Sequence, residues 1–572
     1  VSSNESYDEG IGQIKLSAAH GTGYKAFDGL TSTSWDSTPT RNTRVSEEVD
    51  FGAWLKIQTP ESVSLKKAEI ESNPYWVQVG SQIDGTAASH QFGRAVACSH
   101  DGTRIIAGGY TDSNSQGKVI VYDWNGTAWT QKGNVLTGVA DYDQFGHKLA
   151  ISGDGNIIAV TAPYEHGNGI VDSGTVRVYY LVGATWTILP DSGSFTVSVG
   201  SPTDVFVGAT TLDYLGYGGV KLSYDGYTIS MGSKGHDITG KSNVGRVRVF
   251  TYSSGAWSQK GTEIVGTVAS LSLSNGLDMS EDGNHLVVGT QHNATSPFVN
   301  VYQWSGTTWV QKGSAITHGS DDGFAEPVSI SNDGTVLAIG LPYADVADGA
   351  LVDNGGLAKV YHYVGSAWVL KATLRDVDAV ADQFGNIVCL SGDGKRLIVG
   401  APLEGTNQGQ LFTFEYTGGS WVRRQPYGSI GAIGNPGDDG YLGNGPNSNA
   451  QGVALSRDGS TIVGGELGYN ASAGIDSGRV RVFSMPSNIK SIWGSNDDVN
   501  WTKITTAPTR EEATSNVAGL AFGYDDRLEF KNLDNPNYYK YHAIVADAFT
   551  RLKDVKLYGI RNQGSSTLHD GA

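Results

Sequence analysis

Seven copies of the tetrapeptide Ser-x-Asp-Gly, with Asp at 101, 154, 225, 282, 333, 393 and 458, stand at one place in a longer repeated frame. That repetition constrains the fold more than any other feature, because a chain that spells one turn every 51 to 71 residues builds one supersecondary unit again and again. The frame is clearest at 144 to 189 and 383 to 424: Phe-Gly, a short strand ending in Ser, the Asp-Gly turn, an apolar strand such as Ile-Ile-Ala-Val, a Gly-rich loop, a third strand such as Val-Arg-Val-Tyr, and a Gly turn into a Trp strand. Asp-Gly supplies the positive φ of a tight hairpin turn, so each unit reads as four short antiparallel strands. Those strands are apolar on both faces (Asn-Ile-Ile-Ala-Val, His-Leu-Val-Val-Gly), as expected of sheets sandwiched between sheets.

The fourth strand carries Trp129, Trp186, Trp257, Trp309, Trp368 or Trp421 in units one to six, and unit seven lacks it. An orphan copy, Trp76-Val77-Gln78-Val79-Gly80, precedes unit one. Lending it to unit seven closes a ring and leaves no free sheet edge. The expectation is an all-β chain with a seven-bladed β-propeller over 75–485, flanked by 1–74 and 486–572, which ring closure brings together as one interrupted domain.

Composition agrees. The 572 residues include 78 Gly, and 10% are aromatic, a balance that penalises helix interiors and suits strands and turns. A net charge of −18 argues against nucleic acid or an anionic membrane as partner, and no apolar run reaches the length of a membrane span. Cys98 and Cys389 each lie in an apolar strand and read as buried small residues, neither bridged nor reactive.

The flanks hold an ordered set of motifs: Ala26-Phe27-Asp28-Gly29-Leu30-Thr31-Ser32-Thr33-Ser34-Trp35, then Ile492-Trp493-Gly494-Ser495-Asn496-Asp497-Asp498-Val499-Asn500-Trp501, then Asp554-Val555-Lys556-Leu557-Tyr558-Gly559. They resemble the discoidin, or coagulation factor 5/8 type C, domain, which implies a β-sandwich (jelly roll) into which the propeller is inserted. The resemblance also implies a structural Ca²⁺ held by Asp28, Thr33 and Asp554, with carbonyls near Ala26 and Leu30, a set of oxygen ligands that suits the ion. The repeats look like FG-GAP propeller repeats, intact at Phe92-Gly93, Phe145-Gly146 and Phe384-Gly385, but without the Asp-x-Asp-x-Asp-Gly calcium loop.

Chemistry is hard to find in the repeats. Gly235-His236-Asp237-Ile238-Thr239-Gly240-Lys241-Ser242 matches a phosphate-binding loop but leads into a strand, not a helix N-terminus. The Ser-x-Asp-Gly turns read as local turn formers. Arg246, Arg248, Arg479 and Arg481 read as solvated strand faces. With no catalytic residue assigned, the expected function is non-enzymatic surface recognition or adhesion, by binding of glycans on a host or neighbouring surface. Ligand-binding loops vary within the discoidin family; Thr40-Arg41-Asn42-Thr43-Arg44 and Asn535-Pro536-Asn537-Tyr538 are candidates, and no ligand-binding residue is assigned. The alternatives are a capsid, fibre or cell-coat component that contacts neighbouring coat proteins, and a carbohydrate-active enzyme. The resemblance implies an extracellular, cell-surface or virion-surface setting, such as that of an aquatic microbe or large algal virus. There the sequons at Asn4, Asn125, Asn293, Asn470 and Asn500 are candidates for N-glycosylation.

Overall fold

The computed structural model describes residues 76–484 apart from 190–204, 291–296, 318–326, 348–350, 353, 377–381, 404–408, 424–429 and 432–451; outside that span it describes backbone strands within 15–72 and 489–561. The chain divides into two compact units, Gln78–Phe483 and Val1–Val77 with Ser484–Ala572.

The larger unit is a seven-bladed β-propeller. Blade one runs Ala95–Cys98, Arg104–Gly109, Lys118–Trp124 and Trp129–Gln131 from the axis outward, each strand antiparallel to the next. Blades two to six repeat that order, and blade seven consists of Val453–Leu455, Thr461–Glu466, Arg479–Ser484 and, from the other end of the sequence, Val77–Gln78.

Each Ser-x-Asp-Gly turn is a complete hydrogen-bonded device. Its Ser hydroxyl donates to the Asp carboxylate at 2.5–2.8 Å in all seven copies. The same Asp oxygen accepts the N–H two residues on at 2.9–3.0 Å. Meanwhile the Ser oxygen accepts the N–H five residues on, at 2.8–3.1 Å, which registers the innermost strand against the second. The turn geometry is thus set by contacts within six residues of the chain.

Packing is between blades. Val119 and Val121 of blade one cluster with Leu149 and Val160 of blade two, and the pattern recurs round the ring to Val463 and Val480 of blade seven against Val96 and Ile105 of blade one. Phe145 and Phe384, from the Phe-Gly pairs, are fully buried in such seams, where truncation to Ala would cost about 3–5 kcal/mol. Gly is required beside Phe384: Gly385 has φ +95°, and a Cβ there would lie 2.1 Å from the Leu357 carbonyl oxygen. On the outer strands, several indole N–H groups stitch a blade to the one before, Trp186 to Lys132 O and Trp309 to Lys260 O at 2.8 Å. Trp129 donates to Val79 O at 2.9 Å, a bond that ties blade one to the N-terminal strand of blade seven.

In the flanking unit, strands from both segments pair in one 12-stranded sheet. The 19-residue strand Trp54–Ser72 lies beside Tyr539–Ala546 and Thr550–Arg561.

Candidate functional site on the propeller axis

The second residue of each tetrapeptide is the one the motif leaves free, and the fold carries all seven to the axis: His100, Gly153, Tyr224, Glu281, Asn332, Gly392 and Arg457. Their backbones form a circular belt. His100 N–H donates to Gly153 O, Gly153 to Tyr224 O and Tyr224 to Glu281 O at 2.7–2.9 Å. Glu281 N–H donates to Asn332 Oδ1 at 3.3 Å, Asn332 to Gly392 O at 2.8 Å and Gly392 to Arg457 O at 2.6 Å. Asp458 N–H returns to His100 O at 3.1 Å. Gly is needed at 153 for room, since a Cβ would meet the Tyr224 ring at 2.1 Å.

Side chains then cross the axis. His100 Nδ1 of blade one donates to both Glu281 oxygens of blade four, at 2.9 and 3.0 Å, and Asn332 Nδ2 holds the same carboxylate at 2.7 Å. Arg457 of blade seven reaches Ile330 O at 2.8 Å, Met279 O at 2.9 Å and Asp278 at 3.3 Å. One turn deeper, Asp278 also meets Lys221 Nζ at 3.1 Å, Ile330 N–H at 2.9 Å and Ser329 Oγ at 3.2 Å. Burial alone would raise the Asp278 carboxyl, but Lys221 and Arg457 outweigh it and hold it below the usual carboxylate range. Asp278 is thereby a charged strut joining blades three, four, five and seven.

Two cavities meet at His100. One, of about 120 Å³, lies on the axis and is lined by Lys221, Asp278, Glu281, Ser329, Cys389 and Arg457 among others. The second, of about 240 Å³, is a groove between blades one and two, lined by Asp101, Thr103, Arg104, Asp123, Trp124, Asp154 and Tyr224. His100 and Gly153 border both. Arg104 is committed to Asp123 at 2.9 Å and Gly155 O at 2.8 Å. His100, with a side chain 35% exposed, keeps Nε2 as its remaining nitrogen. A carboxylate behind one imidazole nitrogen and space before the other is the arrangement of a general base. Cys98 and Cys389 are free thiols beside the axis, and desolvation holds both protonated, Cys389 at about 11.

The residues singled out from sequence lie elsewhere. Asp28 is outside the described residues; Thr33 begins the strand Thr33–Trp35 and Asp554 lies in Thr550–Arg561, two positions of one sheet linked through Arg41–Val45. Asn125 sits exposed in a turn, its Oδ1 accepting from Thr127, while Asn470 Oδ1 accepts Asp476 N–H at 2.8 Å. Asn4, Asn293 and Asn500 are outside the described residues, as are the segment 535–538 and residue 40; 41–44 lies in the strand Arg41–Val45. The segment matching a phosphate loop is a turn with an Ile238–Lys241 bridge, followed by the strand Arg246–Ser253.

Two expectations need correction. The repeated arginines are not solvated: Arg246, Arg248, Arg479 and Arg481 are all buried, because both faces of a blade are covered by neighbours. Arg479 and Arg481 share Glu466, and Arg246 meets Asp213 at 2.9 Å. The second correction concerns function. Two carboxylates, Asp278 and Glu281, converge with Lys221, Arg457 and His100 at one end of the axis, the grouping that an enzyme needs and that the sequence alone did not show. The expectation of a non-enzymatic adhesion or surface-recognition protein is therefore withdrawn.

No protein-family model matches the chain, and no curated protein matches it. Solved structures do. A periplasmic gluconolactonase of Pseudomonas aeruginosa is 15% identical with a TM-score of 0.36, covering 74% of this chain and 100% of its own. A Bacteroides fragilis protein described as a 6-phosphogluconolactonase is 14% identical at TM-score 0.40, over 70% and 93%. The propeller domain of the Trilobed protease of Pyrococcus furiosus is 10% identical at 0.39, over 72% and 96%. At such identities the likeness is one of fold; two of the three are named as lactonases, and the ground for the correction in this chain is its own axial cluster.

Proposed function

We propose that the chain is a hydrolase that uses His100, oriented by Glu281, as general base on a small carboxylic ester or lactone entering by the groove between blades one and two. The observation that carries this reading is the His100–Glu281 pair at the border of two cavities. Nε2 takes a proton from water as the water oxygen bonds to the carbonyl carbon, and Glu281 stabilises the imidazolium so formed. The proton then passes to the departing alkoxide as the carbon–oxygen bond breaks. A panel of lactones and short esters tests it: hydrolysis should fall about 10²- to 10⁴-fold in His100→Asn and less in Glu281→Gln. A panel with no substrate, or a His100→Asn variant as fast as the parent, overturns the assignment.

For the flanking unit we infer a discoidin-like module with Ca²⁺ on Asp28, Thr33 and Asp554, supported by the order of its motifs. A chelator should lower its melting temperature and Asp554→Ala should abolish that response; no change on chelation removes the three as ligands.

A further inference from the structure

We propose that the other end of the propeller axis, at the rim of blades one to three, binds a small oxyanion, a carboxylate or phosphate group. This site is independent of the His100 groove, from which the length of the innermost strands separates it. Arg94, His147 and Tyr217 are equivalent residues of three successive blades, each directly after the pairs Phe92-Gly93, Phe145-Gly146 and Leu215-Gly216. Tyr110 and Lys234 each directly follow a second strand, Arg104–Gly109 and Thr228–Ser233.

Together they make a five-layer stack. Arg94 lies 4.5 Å from the Tyr110 ring centroid, Tyr110 lies 5.2 Å from His147, His147 lies 4.7 Å from Tyr217, and Lys234 Nζ lies 3.0 Å from Tyr217. Tyr164 and Tyr214 flank it edge-on, at 6.2 and 6.4 Å from Tyr217. Cations cap both ends, and each inner ring face is occupied by another ring, so a ligand meets the edge of the stack and not a free aromatic face. This excludes a stacking ligand and favours one held by N–H and O–H groups.

Two buried atoms point to what is missing. His147 is only 4% exposed and its Nδ1 has no hydrogen-bond partner; Arg94 Nε is likewise buried without one. Buried polar atoms are rarely left so, and an unmet cationic donor is the costlier kind. Burial first, then the charges of Lys148, Arg94 and Lys234, keep the imidazole well below its usual pKa, hence neutral. Gln91 Oε1 accepts from Arg94 Nη1 at 2.5 Å, and Asp172, beside Tyr164 and Tyr214, is 3.4 Å from His166 Nδ1. The positive groups around His147 are therefore Arg94, Lys148 and Lys234, while its own ring supplies none, which suits an oxyanion with one neutral and several cationic contacts.

Titration calorimetry of the full chain with inorganic phosphate and with acetate, in chloride at constant ionic strength, tests this. Saturable binding of either is expected, weakened at least tenfold in Arg94→Gln and in Lys234→Gln and unchanged in His100→Asn. The two anions separate phosphate from carboxylate as the preferred group. Should Arg94→Gln misfold, Arg94→Lys keeps the charge without the planar fork and should bind at least threefold more weakly. Absence of saturable binding by both anions, or equal binding by the parent and the Arg94 and Lys234 variants, overturns the proposal.

Discussion

The two ends of the propeller axis are built from the same seven innermost strands, yet their polar groups are treated in opposite ways. At the turn end, Asp278 has two cations, a backbone N–H and a hydroxyl around it, and the belt returns every turn to the next. At the loop end, His147 Nδ1, Arg94 Nε and Ser274 Oγ are buried without a partner. A satisfied low-dielectric network rigidifies what it joins, whereas an unsatisfied one costs stability and is kept where something else completes it. Among the satisfied groups, His100 is the exposed margin, and that is why it is the one proposed for chemistry.

Mutations can sharpen or break this contrast. The largest effect is expected for Asp278→Ala, which strands Lys221 and Arg457 near the axis and should cost about 3–5 kcal/mol in urea or thermal unfolding. The joint replacement Asp278→Leu with Lys221→Met should recover much of that loss, since it removes charges on both sides of the pair. A cost below about 1 kcal/mol for Asp278→Ala would show that the turn end is not a network at all.

Next comes pH. His147 has a folded pKa depressed by burial, so the unfolded chain binds the extra proton. The associated stability is complete above the ordinary histidine value and is lost as pH falls below about 6.5, by up to about 1.4 kcal/mol for each unit. Melting curves between pH 7.5 and 5 should therefore show a steeper decline in the parent than in His147→Gln; parallel slopes would remove His147 as a cause. The smallest effect belongs to Ser274→Ala. Its hydroxyl is fully buried with no partner, and deletion should be neutral within about 0.5 kcal/mol or slightly stabilising. A loss above about 1 kcal/mol would mean the loop end is better satisfied than its geometry suggests.

The seven-bladed architecture was legible because Ser, Asp and Gly make their turn from contacts within six residues. The site was not. In sequence, the free position of the motif reads His, Gly, Tyr, Glu, Asn, Gly, Arg, a string without pattern until ring closure makes His100 and Glu281 opposite neighbours 181 residues apart. A fainter signal was present in Val220-Lys221-Leu222-Ser223 and Leu277-Asp278-Met279-Ser280, where single charges of opposite sign stand one repeat apart at a place that is Ala97 or Ala150 in other units. The arginines misled for a physical reason: alternation implies a wet face only where a sheet has one, and a propeller blade has none.

The join of the ring has a mechanical meaning. Val79 N–H donates to Val482 O at 2.8 Å, and Ile83–Asp84 pairs antiparallel with Arg479 and Val480. The chain therefore enters at Val77 and leaves at Ser484 on the same side of this antiparallel pair, so a pull on the two flanking segments opens it as a zipper, one bond after another. Under tension on the flanking segments the propeller is expected to yield first at this seam.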